Sequence, residues 1–187
     1  MNPALRSLTD LSLSAVFAAL IIVLAFVSIP VGSAGVPIVL QNAAFILAGL
    51  VLGPRRGLIT VAIFFALGIV LPVLAGGRSI PQALSGPTVG YIIGYIVSTA
   101  LAGFLAYYLR GNRYLVFSIA AIVALFSQYL CGTIGLIVRA DMSLGAAIAA
   151  QGSFVLIDAL KILVAVAAAV AIHAALPQLL RPGTSHA

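Results

Sequence analysis

Six long apolar runs, separated by short breaks rich in glycine, proline and arginine, make up most of this sequence of 187 residues. The breaks lie at residues 30–37, 53–57, 76–86, 110–113 and 139–141. A helix of about 20 apolar residues spans the hydrocarbon core of a bilayer. The sequence therefore predicts an all-α integral membrane protein, a single domain built as a bundle of six transmembrane helices, approximately at residues 11–29, 36–52, 57–74, 87–109, 114–138 and 147–176.

Composition excludes an ordinary soluble domain. The chain is 64% apolar and 6% charged, whereas about 25% of the residues of a soluble domain are charged. The net charge of +6 comes from arginines at the ends of the apolar runs, without a basic cluster interleaved with aromatic residues, so it does not indicate nucleic-acid binding. The single cysteine, Cys131, excludes an internal disulfide.

The placement of arginines predicts the orientation of the bundle. Six spans bring both termini to the same side of the membrane. The arginines on that side are Arg6, Arg55, Arg56, Arg110, Arg113 and Arg181, against Arg78 and Arg139 on the other. Because cytoplasmic loops carry the excess of positive charge, we expect both termini in the cytoplasm, with the loops at 30–37 and 76–86 facing outward.

Two ionisable residues, Asp158 and Lys161, interrupt the last apolar run. Each costs about 2.5–3.5 kcal/mol at the centre of a membrane helix, and their i,i+3 spacing places them on one helix face, where they can neutralise each other. This pattern predicts a polar, ligand-binding spot in a cavity beneath the outer loops. The alternatives are a purely structural ion pair, or a lysine whose ammonium group reaches the membrane surface.

Further candidate ligand-binding residues lie near the outer ends of the runs. Gln41 and Asn42 begin the second span, and at least one of these amides is expected to line the pocket. Arg78 follows two glycines in an outer loop, where it is either solvated or able to fold over the pocket and bind a carboxylate. Tyr91 lies beside a stripe of small residues and could stack on a ligand or hydrogen-bond to it.

Small residues predict close helix packing at two places. The stripe in the fourth span, which we interpret as a packing surface, consists of Gly86, Gly90, Gly94 and Ser98. Ala15 and Ala19 form a small-xxx-small pair in the first span, suited to docking against another membrane protein if it is exposed. His173, near the end of the last span, is expected at the membrane interface, and His186 belongs to the tail.

Sequence signatures of catalysis are missing. The sequence contains no glutamate, no glycine-rich phosphate-binding loop before its single lysine, and no Gly-x-Ser-x-Gly or His-Glu-x-x-His motif. A carboxylate dyad is not available with one acid inside the spans. The sequence predicts a binding protein that is not an enzyme, with no metal and no cofactor.

Five sequence blocks in one order resemble the BioY family, the biotin-specific substrate-binding (S) components of energy-coupling factor (ECF) transporters. They are VPIVLQN at 36–42, AGLVLGPRRG at 48–57, LPVLAGG at 71–77, GPTVGY at 86–91 and DALK at 158–161. The resemblance runs from about residue 11 to residue 176. It implies an S-component-like bundle of six helices in the plasma membrane of a prokaryote, which captures biotin from outside and takes it up.

The resemblance also implies partners and roles for particular residues. The partners are a transmembrane coupling subunit, docked at Ala15 and Ala19, and cytosolic ATPases that hydrolyse ATP. The pocket residues implied are Asp158, Lys161, Tyr91, Gln41 and Asn42.

This sequence departs from the family at two positions. It has Arg78 where many members have glycine or a small polar residue, and Ile92 where some have arginine. We expect Arg78 to replace that positive charge at the carboxylate of the ligand, with Lys161 as the alternative. The alternatives for function are an S component or small carrier for another vitamin, a small intramembrane enzyme acting through Asp158, and a structural membrane subunit.

Overall fold

The computed structural model describes residues 3–29 and 36–180, without the side chains of residues 3–6, 29 and 180. The Arg6 side chain, Arg181, His186 and most of the first outer loop therefore lie outside the described residues. The elements are α1 (Pro3–Ala25), β1 (Ser28–Ile29), β2 (Ile38–Val39), α2 (Gln41–Gly68), α3 (Ile80–Leu84), α4 (Val89–Tyr108), α5 (Arg113–Ala140), α6 (Leu144–Ala175) and a terminal 3-10 turn (Pro177–Leu180).

The element α2 reverses direction in its middle and supplies two of the six helical segments. At the reversal Gly53 has φ 77° and ψ −179°, a conformation that glycine adopts without steric cost, and Pro54 follows it. The rings of Phe45 and Phe64 are 5.0 Å apart, whereas a straight helix would separate them by roughly 28 Å. The arms 41–52 and 54–68 are therefore antiparallel, as the break predicted at 53–57 requires.

The prediction of an all-α membrane bundle is confirmed. Five helices within the described residues are long and apolar enough to cross a membrane, and the second arm of α2 adds the sixth helical segment. Two residues of the predicted small-residue stripe pack closely on α5: Gly90 faces the backbone at Cys131, and Gly94 faces Gln128. Gly86 lies before the start of α4, next to Ala83.

Three helix boundaries lie farthest from the predicted ones. The first helix begins at Pro3 instead of residue 11, since a helix continues through polar residues that a hydropathy pattern does not count. The second begins at Gln41 instead of residue 36, because β1 pairs antiparallel with β2 and holds residues 38–39 extended. The third ends at Gly68 instead of residue 74.

His173, predicted at the membrane interface, lies inside the bundle near the end that contains the Gly53 reversal. Its side chain is completely buried between helices, with one ring nitrogen 3.0 Å from the carbonyl oxygen of Leu50. Nearby, the hydroxyl of Tyr107 lies 2.5 Å from the carbonyl oxygen of Val51 and 3.0 Å from that of Leu179. These contacts close the end of the bundle that contains the Gly53 reversal.

Candidate ligand-binding site

A cavity lies at the end of the bundle where α2 begins, and it is partly open to solvent. Its apolar wall comes from β2, from α4, from α6 and from the segment that follows α2. Its polar and charged lining residues are Gln41, Asn42, Arg78, Thr88, Tyr91, Tyr95, Gln128, Tyr129, Asp158 and Lys161. All six residues predicted to contact substrate therefore line one cavity.

Asp158 and Lys161 form a buried ion pair at this cavity. Lys161 Nζ is 2.6 Å from Asp158 Oδ1, and the two residues are only 8% and 3% exposed. The ammonium group therefore does not extend to the membrane surface. Lys161 also donates to the carbonyl oxygen of Val39 at 2.7 Å and to Asn42 Oδ1 at 3.3 Å. An ammonium group has three protons, so protein acceptors take all of them.

Asp158 is the centre of the polar cluster. Its Oδ1 also accepts from Asn42 Nδ2 at 3.2 Å, and its Oδ2 accepts from the hydroxyl of Tyr129 at 2.8 Å. A carboxylate offers about four lone-pair positions, so one remains for a further donor. Sequence reasoning missed Tyr129. The polar pair Gln128-Tyr129 inside an otherwise apolar run was the available signal.

The two amides at the start of α2 have different contacts. Asn42 belongs to the polar cluster through Asp158 and Lys161. Gln41 Nε2 instead donates to two backbone carbonyls, those of Ile21 at 3.3 Å and Val73 at 2.8 Å. Gln41 thus ties α1 to the segment after α2, although its side chain also lines the cavity.

Arg78 lies at the cavity on a tight turn. Leu74 and Arg78 pair as an isolated bridge, and Gly76 and Gly77 between them have φ 75° and 70°, which a residue with a Cβ rarely adopts. The Arg78 hydrogen bonds within the protein are long: Nε lies 3.4 Å from the carbonyl oxygen of Ala75, and Nη1 lies 3.5 Å from Thr88 Oγ1. Most of the donor capacity of the guanidinium is therefore available to a ligand.

The orientation of Tyr91 is set by α5 and α6. Its hydroxyl donates to Gln151 Oε1 at 2.9 Å, and Gln151 Nε2 donates to Thr133 Oγ1 at 3.2 Å. A Cβ on Gly132 would lie 2.3 Å from the ring, so the ring packs directly on the backbone of α5. The hydroxyl proton is committed to Gln151, which leaves the ring surface to contact a ligand.

Ala15 and Ala19 do not line the cavity. Both lie on an exposed face of α1, next to the exposed side chains of Val16 and Val23. Small residues on an exposed apolar face allow another helix to approach closely.

Fold and site together define a multi-pass membrane protein whose helices line a cavity with a buried ion pair in its wall. The chain belongs to the BioY family, whose family profile matches residues 1–178. It is thus a member of a family of transport proteins and not of an enzyme family, and it is a multi-pass protein of the prokaryotic cell membrane.

Individual relatives agree with this assignment. The chain is 42% identical over 101 residues to the biotin transporter BioY of Lactococcus lactis, covering 53% of each chain. It is 46% identical over 103 residues to the biotin transporter BioY of Rhodobacter capsulatus, covering 54% of each chain. The matches therefore span about half the length of these curated relatives.

A solved structure extends the similarity to most of the fold. The crystal structure of an S-component for biotin from an ECF-type ABC transporter superimposes with a TM-score of 0.84 at 31% sequence identity. The superposition covers 90% of this chain and 92% of that one. The S-component-like bundle predicted from sequence is confirmed.

Proposed function

We propose that this protein binds biotin at the outer side of the membrane and delivers it inward as the substrate-binding subunit of an ECF-type transporter. The observation that carries the proposal is the composition of the cavity: an acceptor-rich polar cluster at Asp158, a largely apolar wall, and a cation at Arg78. Biotin has complementary parts, namely a ureido ring with two N–H donors, an apolar thiophane ring and an anionic tail. Relatives named biotin transporters support the same ligand.

The proposed orientation places the ureido ring at Asp158 and the carboxylate of the ligand at Arg78. Lys161 could bind a carboxylate only by giving up one of its three hydrogen bonds within the protein. Within residues 3–29 and 36–180, Arg78 makes two long hydrogen bonds and keeps free donors. A guanidinium also binds a carboxylate with two parallel hydrogen bonds. This arrangement favours Arg78 over Lys161.

Binding of radiolabelled biotin to the purified protein tests the proposal directly. We expect saturable binding that excess unlabelled biotin displaces and that thiamine and riboflavin do not displace. Saturable binding of radiolabelled thiamine or riboflavin, without binding of biotin, would reassign the substrate. Binding of none of these compounds by folded protein would contradict the proposed function.

Replacing Arg78 by glutamine is expected to weaken biotin binding about 10- to 100-fold, since a hydrogen-bonded charge contact contributes about 1.5–3 kcal/mol. Binding of biotinamide, which has no carboxylate charge, should change little in the same variant. Arg139→Gln is the matched control, because Arg139 is exposed, does not line the cavity and donates to the carbonyl oxygen of Leu84. Equal losses for biotin and biotinamide would rule out a carboxylate contact at Arg78.

The proposed orientation in the membrane follows from the arginines. Arg55, Arg56, Arg110 and Arg113 belong to the end of the bundle that contains the α2 reversal, opposite the cavity. With that end in the cytoplasm, the cavity opens outward, where biotin is captured. We test this with single cysteines introduced at either end of a Cys131→Ser variant. Labelling from outside at the end that contains the α2 reversal would contradict the proposed orientation.

The proposed partners are a transmembrane coupling subunit and cytosolic ATPases, which supply the ATP hydrolysis that this sequence has no motif for. We expect Ala15→Trp and Ala19→Trp to prevent copurification with the coupling subunit, because a bulky side chain blocks close helix approach. Biotin binding by the isolated protein should persist. Ile122→Trp, on an exposed position of α5, is the control of equal bulk. Intact complexes with both alanine variants would place the docking surface elsewhere.

A further inference from the structure

Gln128 is a nearly buried amide in the cavity wall that the sequence patterns did not single out. It lies on α5 and is 2% exposed. Its Nε2 donates to the backbone carbonyl oxygen of Asn42 at 3.2 Å and to Ser98 Oγ at 2.8 Å. It therefore joins α5 to both α2 and α4 at the level of the polar cluster.

The contact with Asn42 fixes which way the amide of Gln128 faces. A backbone carbonyl oxygen only accepts hydrogen bonds, so the amide nitrogen must point toward it and the amide oxygen must point away. Nitrogen and oxygen of the side chain are thus distinguished by chemistry, and the remaining oxygen is an acceptor.

That oxygen makes no hydrogen bond within the described part of the chain. Among residues 3–29 and 36–180, the side-chain polar atom that is buried without a partner is His173 Nδ1. Gln128 Oε1 is not such an atom, so an oxygen without a partner there must be exposed to open space. The open space beside Gln128 is the cavity that it lines. An acceptor held in a nearly buried side chain favours a ligand that donates a hydrogen bond to it and penalises one that does not.

We propose that Gln128 is a specificity-determining residue whose Oε1 accepts a hydrogen bond from one N–H of the bound ligand, while Asp158 accepts from a second. This inference rests on the proposed function and deepens it. Gln128 and Asp158 are linked through Asn42, because the first bonds to the backbone of Asn42 and the second to its side chain. Two neighbouring acceptors select a cyclic urea with both N–H groups present.

The competing explanation is that Gln128 only connects helices, through Asn42 and Ser98. Both explanations predict some loss of stability when Gln128 is replaced. Only the proposed role predicts that Gln128 distinguishes ligands by their N–H donors.

The experiment compares biotin with two cyclic-carbamate analogues, in each of which one ureido NH is replaced by oxygen. In the wild-type protein, we expect the analogue that presents oxygen to Gln128 to bind about 10- to 100-fold more weakly than biotin. Gln128→Met, which keeps the length of the side chain without the acceptor, should weaken biotin and remove the preference over that analogue. Ser127→Ala on the same helix is the control that should change neither affinity nor preference, because the Ser127 hydroxyl donates to the carbonyl oxygen of Ala124 within that helix.

The outcomes separate the two proposals. Absence of biotin binding by the wild-type protein overturns the proposed function and this inference together. Normal biotin binding with an unchanged preference in Gln128→Met overturns the role of Gln128 alone. If Gln128→Met does not fold, as judged by its Tm without ligand, the wild-type protein still decides, because equal affinity for biotin and both carbamates would contradict the inference.

Discussion

Asp158→Asn is expected to reduce biotin affinity by at least about 100-fold, which corresponds to roughly 3 kcal/mol. The substitution removes the charge that Lys161, Asn42 and Tyr129 all contact. It also replaces an acceptor for a ligand N–H by an amide that offers its own donors to the site. Equilibrium binding of labelled biotin to the purified variant measures the effect.

A loss of stability must be separated from a loss of binding. Removing one member of a buried ion pair costs about 3–5 kcal/mol, because the remaining charge is left unpaired. We therefore expect Asp158→Asn to lower the Tm of the ligand-free protein, and Asp158→Asn with Lys161→Met to recover much of it, since no unpaired charge remains. Biotin binding should remain lost in the double variant. Recovery of binding together with stability would assign the ion pair a purely structural role.

Asp10→Asn is a matched control for the loss of an ion pair. Asp10 Oδ1 lies 2.7 Å from Arg56 Nε, with side chains that are 18% and 27% exposed. This partly exposed pair joins α1 to the α2 reversal, away from the cavity. We expect a stability change of about 1 kcal/mol or less and unchanged biotin affinity.

Gly90→Leu is expected to destabilise the bundle most among single substitutions at its helix contacts. A Cβ at Gly90 would lie 2.0 Å from the carbonyl oxygen of Cys131 and 2.9 Å from the Cα of Gly135. Because the obstruction is backbone, α4 and α5 must move apart. Overpacking costs about 1–3 kcal/mol where side chains can adjust, and we expect more here. Thermal unfolding in detergent measures the loss of stability.

The same substitution should also weaken ligand binding, since α4 carries Tyr91 and α5 carries Gln128 and Tyr129 on adjoining walls of the cavity. Gly152→Ala is the control, because outside the adjoining backbone of its own helix no atom lies within 4 Å of the position that its Cβ would occupy. Removing this helical glycine should stabilise the protein by about 0.5–1 kcal/mol. A Gly90→Leu protein with an unchanged unfolding midpoint would contradict the close packing of α4 on α5.

The polar residues of the candidate site were largely predictable because charge is rare in this sequence. Asp158 and Lys161 stand out in an apolar run, and their spacing alone predicts that they can pair. Arg78, Tyr91, Gln41 and Asn42 were selected by their positions near the outer ends of the spans, and all of them line the cavity. The contacts that distinguish Asn42 from Gln41 were not predictable, since Asn42 and Asp158 are 116 positions apart in the sequence.

The sequence by itself determined the protein class, the number of helical segments and the identity of most polar residues in the cavity. It could do so because a bilayer requires long apolar runs and tolerates a buried charge only with a compensating partner. Only the tertiary structure decided that the protons of Lys161 are all taken, that Tyr129 bonds to Asp158, and that Gln128 has a free acceptor. Those properties depend on the rotation of each helix about its axis and on the distances between helices. The hydropathy pattern of a sequence specifies neither.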